Sequence, residues 1–179
     1  MSEPNNDLRF WDFEFGLEVS ALYHDWRRAA LEQSVKIVRS IALAGAIIAL
    51  LFWTGGADSP VVAVSNVIIA AVVLADLVFG FGESARQHTD LYRRFNAVQE
   101  KIARHREDSS ARLAEWEAEV VEIRRDEPPV LWAVYATCWN QVIERRQADR
   151  SHLRKIEWYQ RLLRNFLQFR PIDFPLGAN

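Results

Sequence analysis

SIALAGAIIALLFW (residues 40–53), TGGADS (54–59) and PVVAVSNVIIAAVVLADLVFGFG (60–82) form one passage in which Asp58 and Asp76 are the only formal charges. Two apolar runs flank one short turn. Mean hydropathy over all 179 residues is only -0.13, although half of them are hydrophobic, so the apolar residues are segregated rather than scarce. Uncharged sequence extends from Ser40 to Ala57. As a helix it would reach about 27 Å, close to the thickness of a bilayer's hydrocarbon core. The second run carries 13 Val, Ile, Leu and Phe residues. These contribute roughly -4 to -8 kcal/mol towards insertion, against about +3 for a central aspartate. The passage therefore reads as a hairpin of two membrane-crossing helices, at about 40–53 and 60–82. Pro60 suits the first turn of the second helix, with Asp58 or Ser59 as its cap. The β-branched bias of the second run (Val61, Val62, Val64, Val67, Ile68, Ile69) leaves a pair of buried strands as one competitor. A helical hairpin buried in a soluble protein is another. Run length argues against strands.

The flanking charges argue for a membrane. Arg27, Arg28, Lys36 and Arg39 precede the hairpin, and Arg86, Arg93, Arg94 and Lys101 follow it. The connecting turn has no lysine or arginine, so the positive-inside bias places both termini in the cytoplasm. Arg39 and Lys36 can snorkel at one end of the first crossing, and Trp53 suits the interface at the other. No leader is expected, because the N-terminus is acidic and the first apolar run begins near residue 40.

Net charge is -2, which does not suggest direct nucleic-acid binding. The charge is nevertheless blocked: Glu107–Glu127 holds eight acids and three bases, and Arg145–Arg170 holds eight bases and two acids. These blocks either pair with each other or form two solvated helix faces. Cys138 is the single cysteine, so no disulfide or thiolate metal cluster can form within one chain.

The organisation follows from the hairpin outward. Residues 1–16 are an N-terminal aromatic segment; within it Leu8–Phe15 is either an amphipathic docking segment or a short strand. Residues 17–39 form a cytoplasmic helix leading into the membrane, with Val19, Leu22, Trp26 and Ala30 at helical spacing. After the hairpin (residues 40–82), residues 83–169 are a cytoplasmic helical region. Helices are expected over Ser84–Arg106, Ala111–Arg125, Val130–Arg146 and Asp149–Gln168. Asp126-Glu127-Pro128-Pro129 ends the second of these, since proline removes a donor and disfavours helix in the residue before it. The core stripes are Leu91, Phe95, Val98 and Ile102; then Leu113, Trp116, Val120 and Ile123; then Leu131, Val134, Tyr135, Cys138 and Val142. The last helix would turn Leu153, Ile156, Tyr159, Leu163 and Phe166 inward. Residues 170–179 are a tail that docks through Ile172, Phe174 and Leu176 or frays. The fold class is an all-α membrane protein: a two-helix transmembrane hairpin with a cytoplasmic helical bundle drawn from both flanks.

No enzyme is expected. The four histidines (His24, His88, His105, His152) are scattered, no metal-ligand spacing occurs, and Gly80-Phe81-Gly82 follows an apolar helix rather than a strand, so it is no nucleotide fingerprint. No cofactor follows from the sequence. The polar residues of the second crossing are more informative. Ser65 and Asp76 are eleven apart and fall within about 20° of each other on a helix, with Glu83 on the same face. Asn66 lies about 100° away from Ser65. In an oligomer, Ser65, Asn66, Asp76 and Glu83 are candidates to line a pore, and rings of acid favour cations. Alternatively Asp76 sits at the cytoplasmic interface and Asn66 makes a helix–helix hydrogen bond. Gly45 with Ala49, and Ala42 with Ala46, are small-xxx-small pairs that permit close helix packing, although alanine is also simply common in helices. Arg145, Arg146, Arg150, Arg154 and Lys155 are candidates to contact a partner protein or anionic lipid, as the Asp126–Pro129 corner is for a partner.

Two segments carry a resemblance: ARQHTDLYRRFNAVQEKI (Ala85–Ile102) and IRRDEPPVLWAVYATCWN (Ile123–Asn140). Together with a long helix entering a two-crossing hairpin, they resemble the SLATT family over about Leu17 to Asn140. The resemblance rests on architecture more than on invariant motifs, and the basic stretch after Gln147 has no counterpart in it. It implies an oligomeric pore-forming effector of bacterial antiviral defence, acting by abortive infection from the inner membrane. It also implies a companion such as a nucleotidyltransferase, a SLOG-domain protein or a reverse transcriptase, and it supplies no catalytic residues. The alternative is a non-conducting, membrane-anchored helical scaffold that binds a partner protein.

Overall fold

The computed structural model of the chain describes residues 4–52 and 60–177. The turn expected before Pro60 and the interfacial placement of Trp53 lie outside the described residues. The fold is all-α. In chain order the helices are α1 (Pro4–Phe52), α2 (Pro60–Phe79), α3 (Phe81–Arg104), α4 (Ser109–Arg125), α5 (Trp132–Arg145) and α6 (Trp158–Leu163). Single 3₁₀ turns occur at Arg106–Asp108, Arg150–His152 and Pro171–Asp173. The chain divides into two compact units, Met1–Arg27 with His88–Asn179, and Arg28–Gln87.

In the first unit α1 is the central element. Leu17 and Ala21 on one side of it join Leu91, Phe95, Val98 and Ile102 of α3 and Trp116, Val120 and Ile123 of α4 in one core cluster. Phe15, Val19 and Tyr23 on its other side pack with Val134, Cys138, Val142 and Ile143 of α5. A helix buried on both sides loses the single apolar stripe that periodicity reads. Leu8–Phe15, open between docking segment and strand, is part of α1: Phe10 and Phe13 lean on the first cluster and Phe15 belongs to the second, while Leu8 and Trp11 are exposed. The α3 and α4 stripes are buried as their spacing predicts, because each presents one face to α1.

The helix expected over Asp149–Gln168 does not form. The backbone groups that a helix would use are taken by distant partners. Asn140 Nδ2 donates to the Arg154 carbonyl and Arg154 N–H donates to Asn140 Oδ1, both at 2.7 Å. Lys155 N–H donates to the Pro175 carbonyl at 3.0 Å, and Arg154 bridges antiparallel to Leu176. Helix resumes only at Trp158, after Glu157 and Gln160 form a reciprocal capping box. Of the residues expected inward, Tyr159 and Phe166 are exposed. In the tail Phe174 docks, in a cluster with Ala133 and Ala136, while Ile172 and Leu176 stay exposed.

In the second unit α1 and α2 pack through small residues. Gly45 is buried, and a Cβ added there would meet Ile69 Cγ1 at 2.8 Å. Val62 and Ser65 of α2 are also buried. Gly80 separates α2 from α3 with φ +56°, a left-handed conformation that L side chains rarely adopt. The helical hydrogen bonds nevertheless continue on either side, from Gly80 N–H to Asp76 and from Ser84 N–H to Gly80.

Candidate functional site

Two features qualify: the outer surface of the second unit and a buried polar cluster in the first. Both α1 and α2 are long and apolar enough to cross a membrane, by length and composition. Only 6 % of the most apolar stretch of α1, and 11 % of that within the helical run Pro60–Arg104, is buried. Ile41, Leu43, Ile47, Leu50 and Leu51 of α1, and Val64, Val67, Leu74, Leu77 and Val78 of α2, all lie exposed.

Within this unit the sequence-derived residues separate. Ser65 is buried, and its carbonyl lies close to where a Gly45 side chain would be. The face calculated to carry Ser65 is thus the face that α2 turns to α1. Asp76 is half-buried, and Asn66 and Glu83 are exposed. Asn66 lines a cleft with Ala46, Ala49, Leu50, Val62 and Ile69. Among the small residues, Gly45 is buried, Ala42 and Ala49 are half-buried and Ala46 is exposed. The covered stripe of α1 is therefore Ala42–Gly45–Ala49, which takes both members of the Gly45–Ala49 pair and only Ala42 of the other.

The basic candidates are mostly engaged within the chain. Arg145 and Arg146 both donate to Glu18, at 3.0 and 2.8 Å. Arg154 donates to the Phe174 carbonyl at 3.1 Å and lies over the Trp139 ring. Lys155 pairs with Glu157 at 3.1 Å, and Arg150 is exposed. The acidic block pairs with Arg9 through Glu117, with Arg94 through Asp126 and with Lys101 through Glu119. These partners lie in α1 and α3 rather than in the basic last quarter.

The buried cluster was not read from the sequence. His24 of α1 and His88 of α3 are 1 % and 4 % exposed. Their Nδ1 atoms are 2.8 Å apart, and His24 Nε2 is 3.1 Å from Glu127 Oε1. A neutral imidazole has one donor and one acceptor nitrogen, so one proton serves the Nδ1–Nδ1 contact. The network is satisfied when His24 donates from Nε2 to the carboxylate and accepts at Nδ1 from His88. This assignment of hydrogens follows from the heavy-atom network. Burial, with His24 and Arg27 nearby, pushes the His88 pKa down to about 3. The His24 ring stacks on Phe95, and the Tyr23 ring meets both imidazoles edge-on. The Tyr23 hydroxyl accepts from Leu131 N–H at 3.1 Å, at the start of α5. Arg27 donates to the Asn165 side-chain and backbone oxygens, and burial lowers its pKa.

The signal for this cluster was present but ambiguous. His24 is seven after Leu17 and three after Ala21, and His88 is three before Leu91 and seven before Phe95. Both therefore sit on the core stripes of their helices. What spacing does not reveal is that two stripes place their histidines opposite each other. The Asp126–Pro129 corner, read as a partner contact, spends Glu127 on His24 and Asp126 on Arg94.

No group of three or more His, Cys, Asp or Glu among the described residues is placed to hold a metal ion. Burial pushes the Cys138 thiol up to about 12, which leaves it an inert thiol. Comparisons with family models, with curated proteins and with solved structures returned no match to this chain.

Proposed function

We propose that the chain is a two-crossing membrane protein of the bacterial inner membrane, with both termini cytoplasmic, acting as an oligomeric pore-forming effector of antiviral defence. The observation that carries the membrane part is the uncovered outer surface of α1 and α2. A core hairpin of a soluble protein buries such side chains, since leaving each in water forfeits about 1.5–3 kcal/mol. The lysine- and arginine-free turn supports the orientation. The effector role, the self-association and the companion sensor or signal-producing protein rest on the SLATT resemblance. The first unit would hold the pore closed until a trigger binds its two states with different affinity.

A non-conducting, membrane-anchored scaffold is the second reading, and one observation favours it. Ser65 faces α1, and the outward surface of the hairpin is almost wholly apolar, leaving Asn66 and Asp76, with Glu83 just beyond it, to wet any pore. Ion flux from proteoliposomes loaded with a potassium reporter separates the two. Conduction that changes selectivity or rate in Asp76→Asn supports the pore. A tightly reconstituted protein that never conducts, together with cellular toxicity unchanged by Asp76→Asn, leaves the scaffold.

A further inference from the structure

The segment from Trp158 to Ile172 has two different surfaces. Its inner side is a finished core. Gln160 is 2 % exposed, its Oε1 accepting from Glu157 N–H and its Nε2 donating to the Asp173 carbonyl. Phe169 meets both Tyr159 and Phe174, and Phe174 is buried. Its outer side is apolar as well. Trp158 is 74 % exposed, Leu162 69 % and Phe166 78 %. Trp158 and Leu162 stand four apart on α6, one above the other. Phe166 continues the spacing, on a turn whose N–H reaches the Leu163 carbonyl. Folding therefore does not require these side chains to be apolar, and a run of exposed large hydrophobics of this kind marks a contact with something else.

The charges around it indicate what that is. Arg161, on the exposed side of α6, has no partner for its guanidinium among the described residues, and Arg170 is also exposed. The segment itself holds no acid, and the two that flank it are used locally, Glu157 on Lys155 and Asp173 as acceptor from Arg170 N–H. Trp, Leu and Phe on one surface, edged by unpaired arginine, is the composition of a segment that lies in a membrane interface and is drawn to anionic lipid. The segment is also tied to the end of its own unit: Arg27 donates to Asn165, and Arg164 lies over the Trp26 ring.

We propose that α6 and the turn after it form an interfacial anchor, in which Trp158, Leu162 and Phe166 enter the headgroup–acyl boundary of an anionic bilayer and Arg161 and Arg170 pair with its phosphates. This rests on the membrane reading above but assigns a second contact, separate from the hairpin. It also replaces most of the basic residues expected to touch lipid, since Arg145, Arg146 and Arg154 are engaged within the chain.

The test uses the full chain in nanodiscs, with a nitroxide on Leu162→Cys and, in a separate sample, on Val67→Cys. Native Cys138 is buried and remains unlabelled. Nanodiscs are made of phosphatidylcholine alone or mixed with phosphatidylglycerol. The expected result is that the label at 162 gains access to dissolved oxygen and loses access to a water-soluble nickel chelate in the anionic discs only. Arg161→Glu with Arg170→Glu reverses the change, each arginine being worth about a fivefold shift in the docking equilibrium. A label at 162 that stays aqueous in both lipids overturns the anchor. So does one shielded from both reagents in lipid-free detergent, which means that protein, such as a second copy, covers the patch. The label at 67 reads the hairpin independently: deep at 67 but aqueous at 162 removes only the anchor. Aqueous at 67 but interfacial at 162 removes the crossing and keeps the anchor.

Discussion

His88 sets how the first unit responds to acid. Its folded pKa, about 3, lies below the ordinary value of 6.5, so the unfolded chain binds the proton more readily. Stability is complete above about pH 6.5 and falls as pH drops from there towards 3, by at most about 1.4 kcal/mol per pH unit. The surroundings reinforce this sign: burial and the Arg27 guanidinium on α1 oppose a positive charge on His88, and Glu127 is engaged by His24. Urea denaturation of the detergent-solubilised protein at pH 7 and pH 5 should show this loss, and His88→Leu should flatten it. Tyr23→Phe is a separate residue-scale expectation. It leaves Leu131 N–H without its acceptor and should cost on the order of 1 kcal/mol without altering the pH slope. The surface pairs Lys101–Glu119 and Arg9–Glu117 should contribute far less, being solvent-screened.

At the scale of elements, close packing and captured backbone groups decide the outcome. Gly45→Val drives a side chain into Ile69, 2.8 Å from the first added carbon, and should destabilise the α1–α2 pair by about 1–3 kcal/mol. Ala46→Val, at an exposed position one residue on, should not. Thermal melts of the two variants in the same detergent compare them directly. Asn140→Ala removes both bonds that hold residue 154 extended, and should open the 150–157 stretch to limited proteolysis. These positions also show what a sequence can reveal. The α3 and α4 stripes were legible because each helix buries one face against one neighbour. The start of α1 was not, because its aromatics divide between two clusters and solvent: Phe10 and Phe13 lean on one, Phe15 on the other, and Trp11 is exposed. The last helix was misread because Asn140 and Pro175 compete for its backbone from 14 and 20 residues away. The histidine cluster escaped for the same reason: its partners are 64 and 103 residues apart. The small-residue stripe of α1 could be located, but which of its members faces α2 depends on helix rotation, which composition leaves open.

For the molecule as a whole, the chain's path between its two units constrains its placement. α1 begins in the first unit and continues into the second, and α3 returns the chain to the first. With two crossings, everything before Arg28 and everything after Gln87 must lie on one side of the bilayer, and the turn near Asp58 on the other. A single crossing, or a hairpin lying flat on the surface, breaks that parity. Because Cys138 is buried with its thiol pKa pushed up to about 12, the wild-type protein should react with maleimide only after unfolding, which leaves a silent background. An Asp58→Cys variant should then be labelled by a membrane-impermeant maleimide in intact spheroplasts, and an Arg150→Cys variant only after lysis. Position 150 suits this role because it is exposed and lies outside both apolar helices. Labelling of both variants only after lysis would mean that the turn never leaves the cytoplasm and that the apolar surface lies along the membrane. Labelling of Arg150→Cys alone in intact cells would invert the topology and contradict the arginine and lysine bias at both flanks.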